Sequence, residues 1–379
     1  MNTMQSATQS AAQSDLFSKI REQNQDFHQL SLLLLGADDP GARDDAMELL
    51  LARDRTGLER LLATANTHHV VVRAFQVLQG RAAHAGEHEL AEWATAAVSA
   101  EQERAQKAVI FLRSICEALA STGCPVLVIK SLEHWPDLGS DLDLFTTADD
   151  RSVVQVMTKR LHAQVLERSW GDRLAHKWNF KVPGLAEAIE VHVARLGQTG
   201  EHVGLARRLV ESSVMRDVHG YDFRVPAAEG SIVLCTLQRM YRHFYLRLCD
   251  IVDVANLVEN QPMNYGRLRA FADPAGIWPG VATFLKIVSD YLEAYRGQGL
   301  KLPTEVRSAA MFGGEALFCR DSFLRIPILR QGAKLYTMQV TNAAFRGDVP
   351  AVLRLSLLPY LGAAAAIEYK LTGSDKGVW

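Results

Sequence analysis

The sequence is poor in cysteine and shows no pattern in the little it has. Its 379 residues include five, Cys116, Cys124, Cys235, Cys249 and Cys319, an odd number without a C-x-x-C pair. A disulfide scaffold and a zinc ribbon are disfavoured, and a reducing cytoplasm is the expected setting. An excess of one charge is lacking too: Lys plus Arg total 41 and Asp plus Glu 43, a formal charge of −2. A protein held to nucleic acid mainly by phosphate contacts would usually carry a basic domain. The local pairs Arg207-Arg208 and Arg239/Arg242 read as solvated faces. Long apolar runs are also missing. The longest, Ser356 to Ile367, contains Pro359 and falls short of the about 20 residues a membrane span needs. It reads as a buried helix, with an interfacial helix as the alternative. Residues 1–15 are rich in Ser, Gln and Ala, lack the apolar stretch of a signal peptide, and read as a flexible tail.

What is present is an ordinary globular mixture, 48% hydrophobic and 22% charged, which excludes disorder over most of the chain. Residues 16–122 read as helical. Asp38-Asp39-Pro40 and Thr56 with Glu59 supply helix starts. Val70, Val71, Ala74, Val77 and Leu78 form a stripe ended by Gly80, and the pattern from Gly86 to Ser121 is unbroken, with Gly123 after it. Residues 123–226 carry strand signals instead. These are the β-branched run Val126 to Ile129, Leu142 to Phe145, a hairpin of Trp178/Phe180/Val182 with Ile189/Val191/Val193 about Pro183-Gly184, and Tyr221 to Val225. Asp149 to Ala163 reads as a helix between them. Residues 227–379 return to helical spacing over Ala228 to Val258, Ile277 to Tyr295, Leu324 to Ala344 and Val352 to Leu371. The expected fold class is α+β, a small mixed sheet flanked by largely α-helical N- and C-terminal regions.

The segment Lys130-Ser131 through Gly139-Ser140-Asp141-Leu142-Asp143 carries the chemistry. Alternation on a strand puts Asp141 and Asp143 on one face and Leu142 and Leu144 on the other. Carboxylates so close repel unless a positive charge sits with them. A divalent metal is one such charge, and Mg²⁺ typically takes one or two carboxylates together with substrate phosphate. The plainer alternative is an exposed strand end bearing two solvated acids.

In context the segment resembles the nucleotidyltransferase superfamily that includes DNA polymerase β and the aminoglycoside nucleotidyltransferases. It resembles most closely the bacterial branch of uncharacterised nucleotidyltransferases. The resemblance runs in order through Ala65-Asn66-Thr67-His68-His69, a strand ending in Lys130-Ser131, the Asp141/Asp143 strand, the Glu190-Val191-His192 strand, and His243 followed by Asp250 and Asp253. It is strong over residues 126–193. The chain departs from the pattern at Ser131, where the family usually has Gly so that the backbone can approach a triphosphate.

The resemblance implies a sheet that is a nucleotidyltransferase core, and transfer of a nucleoside monophosphate from an NTP to a hydroxyl or phosphate acceptor, with specialised metabolism as a setting. Mg²⁺ or Mn²⁺ would be held by Asp141, Asp143 and Glu190. ATP is the default nucleotide. The acceptor, whether small molecule, peptide or protein, is left open. Lys130, Ser131 and Ser140 become candidate phosphate contacts, against a snorkelling lysine and ordinary loop serines. His192 would order a metal-bound water or be a backbone-bonded core histidine. His68-His69 read as structural. His243, Arg247, Asp250 and Asp253 recur at helical spacing and would share a face, lining the acceptor side or forming a solvated ion-pair face. Two other readings compete: an impaired nucleotidyltransferase-like binding or scaffold module, favoured by Ser131, and a D-x-D glycosyltransferase, opposed by the long helical stretch before the motif.

Overall fold

The computed structural model describes residues 18, 20–36, 47–260 and 262–372. The tail expected over 1–15 and the helix start at Asp38-Asp39-Pro40 lie outside them.

Before the sheet the elements described in full are the helices α1 (Gln25–Leu35), α2 (Arg55–Thr67), α3 (Val71–His84) and α4 (His88–Ala120). The start of α2 is capped by Asp54, whose carboxylate accepts from the Gly57 N–H at 2.7 Å, not by the Thr56/Glu59 box expected from sequence. Helix α3 continues through Gly80, where an end was expected. Burial of Phe75, Leu78 and Ala82 outweighs the roughly 1 kcal/mol that an interior glycine costs. In the 33-residue α4 the buried positions Ala94, Val98, Glu101, Ala105, Ala108, Leu112, Ile115 and Leu119 recur every three or four residues. Its first half packs into the helical core and its second half onto the sheet. Gly123, at φ +81°, turns the chain into the first strand.

The sheet has the order β1-β2-β5-β4-β3, made of β1 (Val126–Val128), β2 (Asp141–Thr146), β3 (Gln164–Val165), β4 (Lys177–Lys181) and β5 (Ala188–Val193). All neighbours are antiparallel except β2 and β5, which run parallel with Asp143 opposite Glu190. The crossover between those two carries α5 (Asp150–Lys159) and α6 (Trp170–Leu174). After β5 come α7 (Val203–Glu211) and a ribbon of β6 (Val214–Val218) with β7 (Tyr221–Val225). Strand β6 was not expected, because its residues are mostly exposed and do not alternate. Leu142, Leu144, Ile189 and Val191 are fully buried on the face packed against α4. The opposite face of the same strands carries the acidic residues, and there Leu127, Ile129 and Phe145 join the helical core. The acids therefore look toward the helices.

The C-terminal region departs most from its helical reading. Ala228 to Val258 is not one helix. It is α8 (Ala228–Thr236), a π-helical turn (Leu237–His243), β8 (Tyr245–Leu246) and α9 (Leu248–Glu259), broken where Phe244 adopts φ +54°. Next follow α10 (Tyr265–Ala272), α11 (Trp278–Arg296) and α12 (Thr304–Ala309). The helix expected from Leu324 starts instead as a hairpin, β9 (Phe318–Arg320) with β10 (Phe323–Arg325), and β10 pairs with β8. A π-helical turn (Ile328–Gly332), α13 (Ala333–Phe345), α14 (Val349–Leu355) and α15 (Leu358–Thr372) complete the described chain. The apolar run expected to be buried lies mostly on the surface: in α15 only Ala365 is buried, while Tyr360 and Leu371 are 76% and 79% exposed. Among the described residues no element folds over it. The stretch Val349–Thr372 is long and apolar enough to cross a membrane by length and composition alone.

The helices before and after the sheet share one hydrophobic core, in which Phe27, Leu33 and Phe75 meet Ile251, Phe284 and Tyr291. A buried ionic knot ties that core to the sheet. Arg73 of α3 reaches Asp137, in the loop before β2, at 2.9 Å and Asp253 of α9 at 2.5 Å, and donates to the His69 carbonyl at 2.8 Å. Asp137 also accepts the Val72 N–H, at the positive end of α3. Arg73→Ala strands two buried carboxylates and should cost about 3–5 kcal/mol in guanidinium denaturation. A loss below about 1 kcal/mol would place this knot among weak surface pairs.

Candidate active site

The site begins where β1 ends. Lys130 takes φ +63°, ψ −56°, and the Ser131 N–H donates to the Ile129 carbonyl at 2.7 Å. This is a γ-turn of the rare, strained hand, and such geometry persists where surrounding contacts fix it. Here the contact is ionic: Lys130 Nζ lies 2.6 Å from Asp143 Oδ1 and 3.9 Å from Glu190 Oε1. Burial alone would lower the lysine's pKa, but Asp143 and Glu190 outweigh it and raise the value.

Ser131 itself is unstrained. Its buried hydroxyl accepts the Asp143 N–H at 2.8 Å, locking the turn to β2, so it faces the strand and not the open side. Ser140 is exposed and donates to Asp141 Oδ1 at 3.0 Å. Asp141 is half-buried, and burial followed by the charges of Asp143 and Glu190 raises its pKa.

Glu190 sits in a different field. Lys177 of β4 bridges it, at 2.9 Å, to Asp172 at 2.7 Å, and His192 Nε2 lies 2.8 Å from Glu190 Oε1 and 3.4 Å from Asp143 Oδ1. Burial would raise Glu190, but Lys177, the His192 hydrogen bond and Lys130 outweigh it and hold the carboxyl well below its usual range. His192 Nδ1 is buried without a partner.

Asp143, Glu190 and His192 thus present ligand atoms within 4.8 Å of one another. Two carboxylates and an imidazole suit a divalent cation, the imidazole leaning toward Mn²⁺ and the oxygens serving Mg²⁺ equally. Asp141 lies two residues along the same face of β2.

Other residues singled out from sequence are placed elsewhere. His243 ends the π-helical turn and is separated from α9 by the break at Phe244, so His243, Asp250 and Asp253 do not share one helical face. Neither aspartate is on a solvated face: they are 1% and 7% exposed. Asp250 caps α9 by accepting the Arg247 N–H and pairs with Arg239 at 2.7 Å. Asp253 is held by Arg73 and by His134 Nδ1 at 2.5 Å. His68 and His69 are buried. His68 Nε2 bonds the Ser322 carbonyl at 2.7 Å, and burial lowers its pKa to about 4. Arg239 is also buried, contrary to the solvated face expected.

Sequence reasoning missed Lys177. The hairpin about Pro183-Gly184 sets Lys181 opposite Ala188 and therefore Lys177 opposite His192, diagonal to Glu190. Counting that register back from the turn would have found it.

A mixed sheet, acids from its parallel pair and a strand-end lysine are the arrangement to which the comparisons apply. Residues 54–293 match the sequence model of a family described as uncharacterised nucleotidyltransferase. The match spans well over half the chain, which belongs to that family. No curated protein matches it. Among solved structures, the antibiotic-resistance factor ANT(2'')-Ia is similar at 11% identity over 44% of this chain and 90% of that one, TM-score 0.34. An antigenic nucleotidyltransferase-like protein from Paracoccidioides brasiliensis is similar at 13% identity over 42% of this chain and 78% of that one, TM-score 0.30.

Because Glu190 is depressed, its stabilisation is present above the unfolded value of about 4.3 and is lost as pH falls through the lower folded value. Lys177→Met should raise the Glu190 pKa in a carbon-detected NMR titration and destabilise the protein more at pH 7 than at pH 3. Equal destabilisation at both pH values would contradict the Lys177–Glu190 coupling.

Proposed function

We propose that the chain transfers a nucleoside monophosphate from an NTP to a hydroxyl or phosphate acceptor, with Asp141, Asp143 and Glu190 as the active-site carboxylates. The supporting observation is the register of the parallel pair, which sets Asp143 beside Glu190 on the face bearing Asp141, with Lys130 and His192 between them. Residues 123–226 act as the catalytic core, and the helical regions 16–122 and 227–379 wall the cleft.

Mg²⁺ or Mn²⁺ would be held by Asp143 and Glu190 with Asp141 beside them, and when bound would offset the charge of the phosphates. Lys130 stands where that cation must come, so it exchanges Asp143 for substrate phosphate as a mobile point charge. Glu190, held well below the usual range, is a poor proton acceptor and serves to hold charge. Asp141, raised, is the better match to a base for the acceptor hydroxyl. His192 keeps Glu190 and Asp143 oriented. ATP is the first nucleotide to test.

The competing reading, a nucleotidyltransferase-like binding module, has one observation in its favour: Lys130 already neutralises Asp143 at 2.6 Å. Pyrophosphate release by the full-length protein, with each NTP and with acceptor mixtures, separates the two. Transfer predicts release that EDTA abolishes. It also predicts a fall of at least about a hundredfold in Asp143→Asn and Glu190→Gln. Asp143→Asn and Glu190→Gln should in addition weaken the Mg²⁺-dependent part of NTP binding seen by calorimetry, because both carboxylates would hold the cation. Tight NTP binding without release under any condition would favour the binding module.

A further inference from the structure

The exposed apolar surface is concentrated at the C-terminal end of the molecule. Ten of the eighteen large hydrophobic residues exposed among the described ones lie between Ile328 and Leu371. Leu329, in the π-helical turn after β10, is 94% exposed, and Phe345, at the end of α13, is 89% exposed. In α15, Tyr360, Ile367 and Leu371 recur on one face at helical spacing, and Tyr369, half a turn round, is exposed on the opposite one. No polar face separates them, since the chain carries no charge from Ser356 to Ile367. Helices in proteins draw most of their stability from packing an apolar face, and here only Ala365 is buried.

The charge of the same segment has one sign in excess. Residues 328–372 contain Arg330, Lys334, Arg346, Arg354 and Lys370 against Asp348 and Glu368, whereas the whole chain has a formal charge of −2. Arg330, Lys334, Arg346 and Lys370 are exposed and form no ion pair among the described residues. Bases directly follow apolar tips in Leu329-Arg330, Phe345-Arg346 and Tyr369-Lys370. Asp348 is turned to its own helix, where it accepts the Ala351 N–H at 3.1 Å.

This pattern selects among the covers such a helix could take. A second copy of the chain, pairing through the same patch, would set a positive surface against itself. A groove in another protein takes one apolar stripe of a helix and leaves the other side in water, but α15 is apolar on opposite sides. Lipid covers a helix all round, and an anionic headgroup layer attracts the bases beside it. The 15 residues of α15 make about 22 Å, short of the hydrocarbon core of about 30 Å. Helix α14 does not extend it. Ala351 and Leu355 are buried, Arg354 donates to the Leu174 carbonyl at 2.9 Å, and the chain turns at Ser356-Leu357.

We propose that α15 docks the protein on an anionic lipid bilayer, entering one leaflet without crossing it, with the bases of the C-terminal segment on the headgroup phosphates. The catalytic core is tied to this anchor: Arg354 holds the end of α6, and Gln339 of α13 meets His202, just before α7, at 3.0 Å. The inference does not rest on the transfer reading.

The test is flotation of the full-length protein with vesicles of phosphatidylcholine, alone or mixed with phosphatidylglycerol. Wild type should float with the mixed vesicles, and at least about tenfold less with the neutral ones or in about 1 M salt. Ile367→Glu with Leu371→Glu, at exposed positions where thermal melts should stay near wild type, should lower partition at least about tenfold. Exchanging Arg330, Lys334, Arg346 and Lys370 for Gln should remove the preference for phosphatidylglycerol. Tyr360→Trp should give an emission that shifts to the blue on mixed vesicles and is quenched by lipid brominated on its acyl chains. Asp143→Asn should float as wild type does. Wild type that ignores both kinds of vesicle, or glutamate variants that float unchanged, would overturn the proposal. So would a wild type that is dimeric in sedimentation without lipid, monomeric in the glutamate variant and absent from vesicles, since a second copy would then be the cover. Flotation of a protein that releases no pyrophosphate from any NTP would keep this inference and remove the transfer reading. Transfer without flotation would do the reverse.

Discussion

The repulsion among acids on one face of the sheet is the constraint around which the rest is arranged. Parallel pairing of β2 with β5 sets Asp143 against Glu190 at a strand spacing of about 4.8 Å, where two bare carboxylates would oppose folding. Lys130, Lys177 and His192 answer it, each from a different strand or turn. Lys130 does so from a backbone conformation that no ordinary loop would choose. A site balanced in this way is poised: a cation or a phosphate entering it displaces an existing ion pair and does not fill bare space.

The helical half is bound to that site through charge as well as packing. Arg73 links α3 to the loop before β2 and to α9, and Asp250 joins α9 to the π-helical turn through Arg239. Because these pairs are buried, each one fixes a relative position and not merely a contact. The turn that carries Arg239 and Arg242 is therefore placed by the same elements that place Lys130.

Much of the sheet was legible because its strands are half-buried: Leu142/Leu144 against Asp141/Asp143, and Ile189/Val191 against Glu190/His192, alternate with the period a sheet demands. Alternation names a face but not a neighbour, so the parallel pairing and the reach of Lys177 were not readable in the same way. The helical spacing read over 228–258 hid its interruption for a different reason. Leu237, Met240 and Tyr241 keep helix-like spacing through the π-turn and are all buried, so the apolar pattern is silent about the change of pitch. The break at Phe244 is settled by tertiary packing: its ring lies so close to Gly332 that a Cβ there would come within 2.7 Å. The three-residue strand β10 is too short for any periodicity. The C-terminal run was read as buried from composition alone, which records how apolar a segment is and not whether anything covers it.

Helix α4 has a mechanical consequence. At about 1.5 Å per residue its 33 residues make a rod of about 50 Å. One end is embedded in the helical core and the other is laid along the back of the sheet. A continuous rod anchored in both bodies resists bending, so the two cannot swing apart as a clamshell about it. Motion that admits a substrate is left to twist about the rod's axis, or to short segments such as the 237–244 turn that cross the gap without such a beam.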